Sequence, residues 1–216
     1  MHLKIGVIIP DRGDRPAFLK NCLRMISMQT LQPEITLVVN FKPKSTEKDI
    51  TKRYRKGYEL LRNKGLHLIA LMENDDWYHR TYLDYMSQQW LKRGTPDLLG
   101  TSYTIYYHLK HRAWFTMNHS TRSSAMNTFI RPDMNLTWCD DTDPYTDLHL
   151  WLRSGLTGVI IQPPVLSIGM KHGEGLCGGR NHTDKLERFI NKDEDMHFLK
   201  ANMDPESFKF YSTYYE

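Results

Sequence analysis

Three acidic residues directly follow an apolar run in the segment "LMENDDW". The run covers residues 66–72, and Glu73, Asp75 and Asp76 come after it. Three carboxylates within four residues repel one another unless a cation neutralises part of their charge. Such oxygen donors suit Mg²⁺ or Mn²⁺, which proteins commonly bind through one or two carboxylates together with substrate phosphates. The alternative is structural, because an aspartate before a helix can cap its N-terminus.

A further carboxylate, Asp147, lies in the segment "TDLHLWLR", which reads as the start of a helix. One carboxylate is chemically sufficient to take a proton from a hydroxyl group. Taken alone, however, the position favours a helix cap. The neighbouring Asp140, Asp141 and Asp143 are typical of a solvated loop, although one of them could contact a substrate.

A glycine-rich segment, "GMKHGEGLCGGRNHTDK", covers residues 169–185. It contains five glycines within eleven residues, together with His172, His182 and basic side chains. Glycine-rich, basic loops of this kind suit the binding of phosphate.

The elements that must position these residues alternate along the first half of the chain. Strands are predicted over residues 3–9, 35–39 and 66–72, with helices between and after them. In the second of these helices we place the apolar stripe on Ile50, Tyr54, Gly57, Tyr58 and Leu61, with Arg53 off the stripe. The alternation predicts an α/β fold with a mostly parallel sheet. In open sheets of this class, ligands bind beyond the carboxyl ends of the strands, which is where the acidic cluster falls.

The second half predicts further strands around residues 97–108, 112–117, 158–162 and 165–170, and a helix near 145–154. The chain has 216 residues, without an internal repeat or an evident linker, and we expect one domain over 1–216. Within it we expect a nucleotide-binding half over 1–100, an acceptor half over 101–190 and a C-terminal tail over 191–216.

The amino-acid composition argues against a membrane-spanning protein. Apolar residues make up 40% of the chain, and none of the apolar runs approaches the roughly 20 residues that span a bilayer. The odd count of three cysteines favours reduced thiols and a cytoplasmic location. A net charge of +4 is compatible with an anionic ligand, but it does not by itself indicate nucleic acid. The oligomeric state is left open.

Three segments, taken together and in order, resemble family-2 glycosyltransferases. The first is "VIIPDRGDRPAFLKNCLRMISMQTLQP", the second is "LMENDDW" and the third is "TDLHLWLR". The matching positions are Pro10, Arg15, Gln29, Thr30, Asp75, Asp76, Asp147, Leu150 and Arg153. Two positions depart from the family pattern, because Glu73 and Thr146 stand where the family has Asp and Glu.

The resemblance implies a single GT-A-type domain with a mostly parallel central sheet flanked by helices. It also implies an inverting transfer of a sugar from a nucleotide-diphosphate sugar, with UDP expected as the nucleotide and Mn²⁺ or Mg²⁺ as the cofactor. Asp147 is then the catalytic base. Asp75 and Asp76 are the expected metal ligands, with His172 as a third ligand and His182 as the second choice for it.

For the nucleotide sugar, the resemblance implies binding by the loops after the first three strands. The expected residues are Pro10, Asp11, Arg15, Asn40, Arg53, Arg55, Glu73 and Asp75. Arg53 and Arg55 have an alternative as a solvated helix face. The family's Asp-Gly-Ser continuation after the second strand is replaced by "FKPKST", which leaves the base open.

The acceptor is not identified by the sequence. A glycan, a small molecule and modified DNA are all open, the last because compact transferases of phages glycosylate hydroxymethylated bases. Two other classes compete with the transferase hypothesis. A nucleotidyltransferase would also use a metal and carboxylates, and a non-catalytic nucleotide-binding module would retain the fold without turnover.

Overall fold

Two β-sheets and the helices that cover them form the part of the chain that the structure describes. The structure is a computed structural model, and it describes residues 3–42, 48–174, 176 and 182–214. The strands are β1 (Ile5–Pro10), β2 (Ile35–Val39), β3 (Leu68–Leu71), β4 (Trp77–Tyr78), β5 (Leu98–Thr101), β6 (Tyr103–His108), β7 (Ala113–Asn118), β8 (Phe129–Ile130), β9 (Gly158–Ile161), β10 (Ser167–Lys171) and β11 (Asn191–Lys192). The α-helices are α1 (Pro16–Ser27), α2 (Ile50–Leu61), α3 (Tyr82–Lys92), α4 (Thr146–Leu152), α5 (His197–Asn202) and α6 (Pro205–Ser212).

The first sheet has the strand order β2-β1-β3-β8-β5-β9. Its pairs β1 with β2, β1 with β3, and β5 with β9 are parallel, whereas the short strand β8 runs antiparallel to both of its neighbours. Every residue of β1 and β3 is buried, as is usual for parallel strands covered on both faces. The predicted α/β class with a mostly parallel central sheet is confirmed.

The second sheet was not predicted as a separate unit. Its order is β11-β7-β6-β10-β4, and only the pair β6 with β10 is parallel. The predicted continuous strand over residues 97–108 is wrong, because it divides at Ser102 into β5 of the first sheet and β6 of the second. The Ser102 amide donates to the Ile161 carbonyl (2.7 Å), and the Ser102 carbonyl accepts from the His119 amide (2.7 Å). These bonds hold the crossing point between the sheets.

The helix α2 packs on β1, and the buried face of α1 belongs to the same hydrophobic core as Val7 and Ile9 of β1. In α1, Phe18, Cys22, Met25 and Ile26 recur at helical spacing and are buried. In α2, Gly57 permits close packing, because a Cβ atom there would lie only 2.5 Å from Ile8 Cγ2. The predicted position of Arg53 off the apolar stripe is wrong. Arg53 is 1% exposed and lies on the buried face of α2.

One hydrophobic core joins the two sheets. Val7 and Leu68 of the first sheet belong to the same buried cluster as Ile105 and Ile168 of the second. The segment over residues 191–216, predicted as a tail, contributes β11, α5 and α6. Leu199 and Tyr211 of these helices are buried in that cluster. Among the described residues, none of the helices combines the length and apolar character that crossing a bilayer requires.

Candidate functional site

A cavity opens at the carboxyl ends of β1 and β3, where the sequence predicted a ligand site. The Asp11 carboxylate, which directly follows β1, accepts two hydrogen bonds: Asn74 Nδ2 donates to Oδ1 (2.8 Å) and the Gly13 amide donates to Oδ2 (3.1 Å). The loops that follow the two strands are therefore tied together. The side chains lining the cavity are those of Pro10, Arg12, Arg15, Lys48, Asp49, Ile50, Arg53, Glu73, Asn74, Asp75, Lys171, Leu176 and His182.

Glu73 and Asp75 of the acidic cluster line this cavity, whereas Asp76 is not among its lining residues. Glu73, Asp75 and Asp76 each offer one carboxylate oxygen, and these oxygens lie within 4.8 Å of one another. Asp76 is buried, and its Oδ1 accepts a hydrogen bond of 2.8 Å from the Met170 amide. The three carboxylates that the sequence singled out therefore lie together, and their role as metal ligands stays a prediction.

Asp75 is held in its ionised form. His172 Nε2 lies 2.7 Å from Asp75 Oδ2, and the Arg15 guanidinium forms an ion pair with the same oxygen. Burial opposes ionisation of Asp75, but the charge of Arg15 and the hydrogen bond from His172 outweigh it and hold the pKa of Asp75 well below its usual range. The structure thus places the predicted nucleotide-binding Arg15 and the predicted metal ligand His172 against the same carboxylate.

The other two carboxylates, those of Glu73 and Asp76, have raised pKa values and therefore favour the protonated form. Burial and the negative charge of Asp75 raise the pKa of Glu73 to about 7. Burial, Glu73 and Asp75 raise the pKa of Asp76 well above its usual range. The three groups are therefore not all ionised near neutral pH unless a cation joins them. An oxygen-only cluster of this geometry and charge fits a hard divalent cation such as Mg²⁺ or Mn²⁺.

The two histidines of the glycine-rich segment lie side by side near the cluster. The His172 and His182 ring centroids are 5.1 Å apart. His182 Nδ1 accepts a hydrogen bond of 2.9 Å from the Gly173 amide. Burial and the charge of Lys171 lower the pKa of His182 to about 3, so this ring is neutral at physiological pH. Much of the predicted phosphate-binding loop (residues 175 and 177–181) lies outside the described residues.

The predicted nucleotide-binding residues differ in where they lie. Pro10, Arg15, Glu73 and Asp75 line the cavity. Asp11 does not line it, but its buried carboxylate accepts a hydrogen bond from Asn74, which does. Asn40 is exposed at the end of β2 and is not among the lining residues. A role for Asn40 in binding the base remains a prediction.

The two arginines of α2 have different environments. Arg53 lines the cavity, but its guanidinium donates to the carbonyls of Asp11 (2.5 Å), Val39 (2.9 Å) and Phe41 (2.8 Å). It also forms an ion pair with Asp49 (2.7 Å). These bonds fasten α2 to the ends of β1 and β2. Arg55 lies outside this cavity and pairs with Asp141 at 2.6 Å.

Asp147 lies in the first turn of α4, as predicted, and its side chain is mostly buried. Its carboxylate forms an ion pair with Arg122, which the sequence analysis did not single out. The preceding residue, Thr146, places its hydroxyl in contact with that of Thr51 in α2. The N-termini of α4 and α2 therefore meet, and that of α2 lines the cavity through Asp49 and Ile50.

Sequence reasoning missed five polar residues at the cavity, namely Arg12, Lys48, Asp49, Asn74 and Lys171. Arg12 forms an ion pair with Asp49 (2.7 Å) across the rim. Lys171 ends β10 of the second sheet, and its positive charge acts on all three carboxylates of the acidic cluster. Lys171 directly follows the apolar run of residues 165–170. The rule that singled out the acidic cluster, a charged residue at the end of a predicted strand, would therefore have found it.

Solved structures of glycosyltransferases resemble this chain. TarS of S. aureus in complex with UDP-GlcNAc superposes with a TM-score of 0.53 at 13% identity, covering 82% of this chain and 61% of TarS. TarS in complex with UDP gives a TM-score of 0.51 at 11% identity, with coverages of 78% and 60%. A197 from STIV gives a TM-score of 0.48 at 11% identity, with coverages of 74% and 82%.

This chain therefore spans about three fifths of the TarS chains that it matches. No protein-family model matches the sequence, and none of the curated proteins matches it. The structural likeness, at these identities, shows a glycosyltransferase fold.

Proposed function

We propose that the protein is an inverting glycosyltransferase of the family-2 type. It transfers a sugar from a nucleotide-diphosphate sugar to an acceptor hydroxyl, with the help of Mn²⁺ or Mg²⁺. The observation that carries the proposal is the cluster of Glu73, Asp75 and Asp76 at the carboxyl end of a parallel sheet, in a glycosyltransferase fold. UDP is the proposed nucleotide, with support from the UDP-bound structures of TarS, which share the fold.

Binding of the donor is divided between two parts of the cavity. The part lined by Pro10, Arg12 and Asp49 takes the nucleoside, because it has both apolar and hydrogen-bonding groups. The part beside Arg15 and Lys171 takes the diphosphate, whose negative charge these cations attract.

Asp75 and Asp76 are the proposed metal ligands, with Glu73 beside them and His172 as a further candidate. A divalent cation bound there supplies positive charge to the diphosphate as it departs. Arg15 and His172 hold the side chain of Asp75 in place and keep it ionised, as a ligand to a cation must be.

Asp147 is the proposed base. The acceptor oxygen forms a bond to the anomeric carbon while the bond from that carbon to the diphosphate oxygen breaks, and its electron pair leaves with the nucleoside diphosphate. The proton of the acceptor hydroxyl passes to the Asp147 carboxylate. Arg122 forms an ion pair with the Asp147 carboxylate and so holds this side chain in place at the start of α4.

The decisive experiment is a thermal-shift panel with UDP, GDP, CDP and TDP and their sugars, each with Mn²⁺ and with a chelator. We expect UDP and a UDP-sugar to raise the melting temperature only when the metal is present. Release of UDP on incubation with the UDP-sugar would then show turnover. Release of pyrophosphate would indicate a nucleotidyltransferase, and a shift without any product would favour a non-catalytic module.

Acceptors for the turnover assay are chosen from three classes, namely glycans, small hydroxyl compounds and DNA with hydroxymethylated pyrimidines. If duplex DNA does not bind even at low salt, the DNA acceptor is excluded, since phosphate contacts are strongest under that condition. A cytoplasmic location stays a prediction.

A further inference from the structure

A second cavity, of about 170 Å³, adjoins the proposed donor cavity. The two cavities share Lys171 and His182 as lining residues. The second cavity lies over β6 and β7 of the second sheet and is closed on one side by residues 184–189. The proposed donor site and this cavity are therefore neighbours, with the phosphate-binding Lys171 between them.

Aromatic rings form one wall of this second cavity. Tyr106 and Phe115 stack across β6 and β7, with ring centroids 5.5 Å apart and an angle of 28° between the planes. Phe189 meets Phe115 edge-on at 4.8 Å. Tyr106 can lie flat over β10 because Gly169 has no side chain: a Cβ atom there would be 2.6 Å from Tyr106 Cδ1. Half-buried rings of this kind offer a flat apolar surface to a ligand.

The remainder of the lining is cationic. Lys171 Nζ lies 4.8 Å from the centre of the Tyr106 ring, and Lys185 and Arg188 also line the cavity. Asp184 is the one acidic residue among the described lining residues. Within the described part of the chain, neither Lys185 nor Arg188 forms a side-chain ion pair. The cavity thus has excess positive charge that the fold itself does not use.

We propose that this cavity is the acceptor subsite and that it takes a phosphate-bearing sugar or polyol. This inference rests on the proposed transferase function. The apolar face of the acceptor lies against Tyr106 and Phe115, and its phosphate pairs with Lys185 and Arg188, which suit phosphate oxygens. The diphosphate of the donor does not need these two cations, because Arg15 and Lys171 lie closer to the nucleotide cavity.

The shape of the cavity favours a small acceptor group over a nucleic acid duplex. Proteins that recognise the sequence of duplex DNA insert a protruding α-helix or β-ribbon into the major groove. Here the protein presents a recess bounded by two strands and the segment 184–189. A single phosphorylated unit fits this arrangement, as a free compound or as the end of a chain.

The test measures UDP release from the UDP-sugar with two pairs of acceptors: glucose 6-phosphate against glucose, and glycerol 3-phosphate against glycerol. The variant is Lys185→Gln/Arg188→Gln. The control is Lys64→Gln/Arg93→Gln, which removes the same charge from exposed positions near the ends of α2 and α3. Both changes are at exposed side chains, so both proteins should fold.

We expect the phosphorylated acceptors to give a KM at least tenfold lower than their neutral counterparts. The Lys185→Gln/Arg188→Gln variant should lose that difference, whereas UDP binding and slow hydrolysis of the UDP-sugar by water should be unchanged. The control should behave as the wild type. Equal KM values for phosphorylated and neutral acceptors in the wild type would overturn the inference, as would a variant that weakens donor binding instead.

Preferential transfer to a single-stranded oligonucleotide would also overturn it in favour of a nucleic acid acceptor. Failure of the proposed function looks different from failure of this inference. If UDP-sugars neither bind nor are hydrolysed, the transferase function itself is wrong. If both occur without any preference for phosphate, only the acceptor subsite is wrong.

Discussion

The hydroxyl of Tyr211 donates a hydrogen bond of 3.1 Å to the backbone carbonyl of Asp75. The two residues are 136 positions apart in sequence, and Tyr211 is 1% exposed. The C-terminal helix α6 is thereby attached to the loop that carries the acidic cluster. Tyr214, which follows α6, makes a second contact: its ring centroid lies 4.9 Å from that of Phe18 in α1.

We predict that Tyr211→Phe lowers both stability and metal-dependent nucleotide binding. Loss of one buried hydrogen bond should cost about 1 kcal/mol of unfolding free energy. Because the lost bond positions the Asp75 backbone, UDP binding with Mn²⁺ should also weaken. Urea unfolding and calorimetric titration measure the two effects.

The matched control is Tyr103→Phe, which removes a hydroxyl bond of 2.8 Å to the Pro163 carbonyl, away from the acidic cluster. It should lose similar stability and keep its UDP affinity. If Tyr211→Phe also keeps its UDP affinity, the contact of α6 with Asp75 has no role at the site.

A second prediction compares the two arginines of α2. Arg53→Met should cost about 3–5 kcal/mol, because it leaves the Asp49 carboxylate and three backbone carbonyls without their buried donor. Arg55→Met should cost about 1 kcal/mol at most, since its ion pair with Asp141 is exposed. Chemical denaturation of both variants provides the measurement. Comparable losses would contradict a structural role that is specific to Arg53.

The arginines also show what sequence reasoning could reach. Arg53 is three residues after Ile50 and four before Gly57, so helical periodicity places it on the buried face, and a stricter count would have found it. The sequence also predicted the apolar runs of β1 and β3 and the carboxylates after β3, because each of these signals lies within a short stretch of the chain. The convergence of Lys171 with Asp75 was not, because it depends on how the second sheet packs against the first.

The division of the predicted strand at Ser102 was likewise beyond local patterns. The residues on both sides of Ser102 favour strands, and the sequence contains no proline or glycine at the crossing itself. The path of the chain at Ser102 is set by backbone hydrogen bonds to Ile161, at the end of β9, and to His119, which directly follows β7. Both partners are distant from Ser102 in sequence. Candidate residues after strands were therefore predictable, whereas their partners across the two sheets were not.

A third prediction concerns pH. Burial and the charge of Arg122 lower the pKa of His119 to about 4, below the usual value of about 6.5. Between these values the unfolded chain binds a proton that the folded chain does not, so stability falls as the pH drops from about 6.5 to about 4. His119→Gln should reduce this loss. Melting temperatures at pH 7 and pH 5 test it.

Thr104→Val is the control for His119→Gln. It removes the hydroxyl that lies 3.0 Å from His119 Nε2 but retains the titrating ring and Arg122. Its melting temperature should still fall with pH as that of the wild type does. A His119→Gln protein with an unaltered loss at pH 5 would show that other groups dominate acid sensitivity.

A fourth prediction tests the metal at Asp76. In Asp76→Asn the amide oxygen can still accept the hydrogen bond from the Met170 amide, and the change removes a charge that burial already disfavours. Stability without metal should therefore be unchanged or slightly higher. UDP affinity should fall at least tenfold with Mn²⁺ and remain the same with a chelator. Asp195→Asn, at an exposed position, is the control. Equal weakening with and without metal would exclude Asp76 as a ligand.

The last prediction separates catalysis from binding at Asp147. In Asp147→Asn the side chain keeps its size but cannot accept the acceptor proton, so turnover should fall by about 10²–10⁴-fold. Calorimetric UDP binding with Mn²⁺ should be retained, because Asp147 is not among the residues that line the donor cavity. Asp140→Asn, an exposed carboxylate before the same helix, should keep full activity. An Asp147→Asn enzyme with normal turnover would rule out this residue as the base and leave its ion pair with Arg122 as a structural contact at the start of α4.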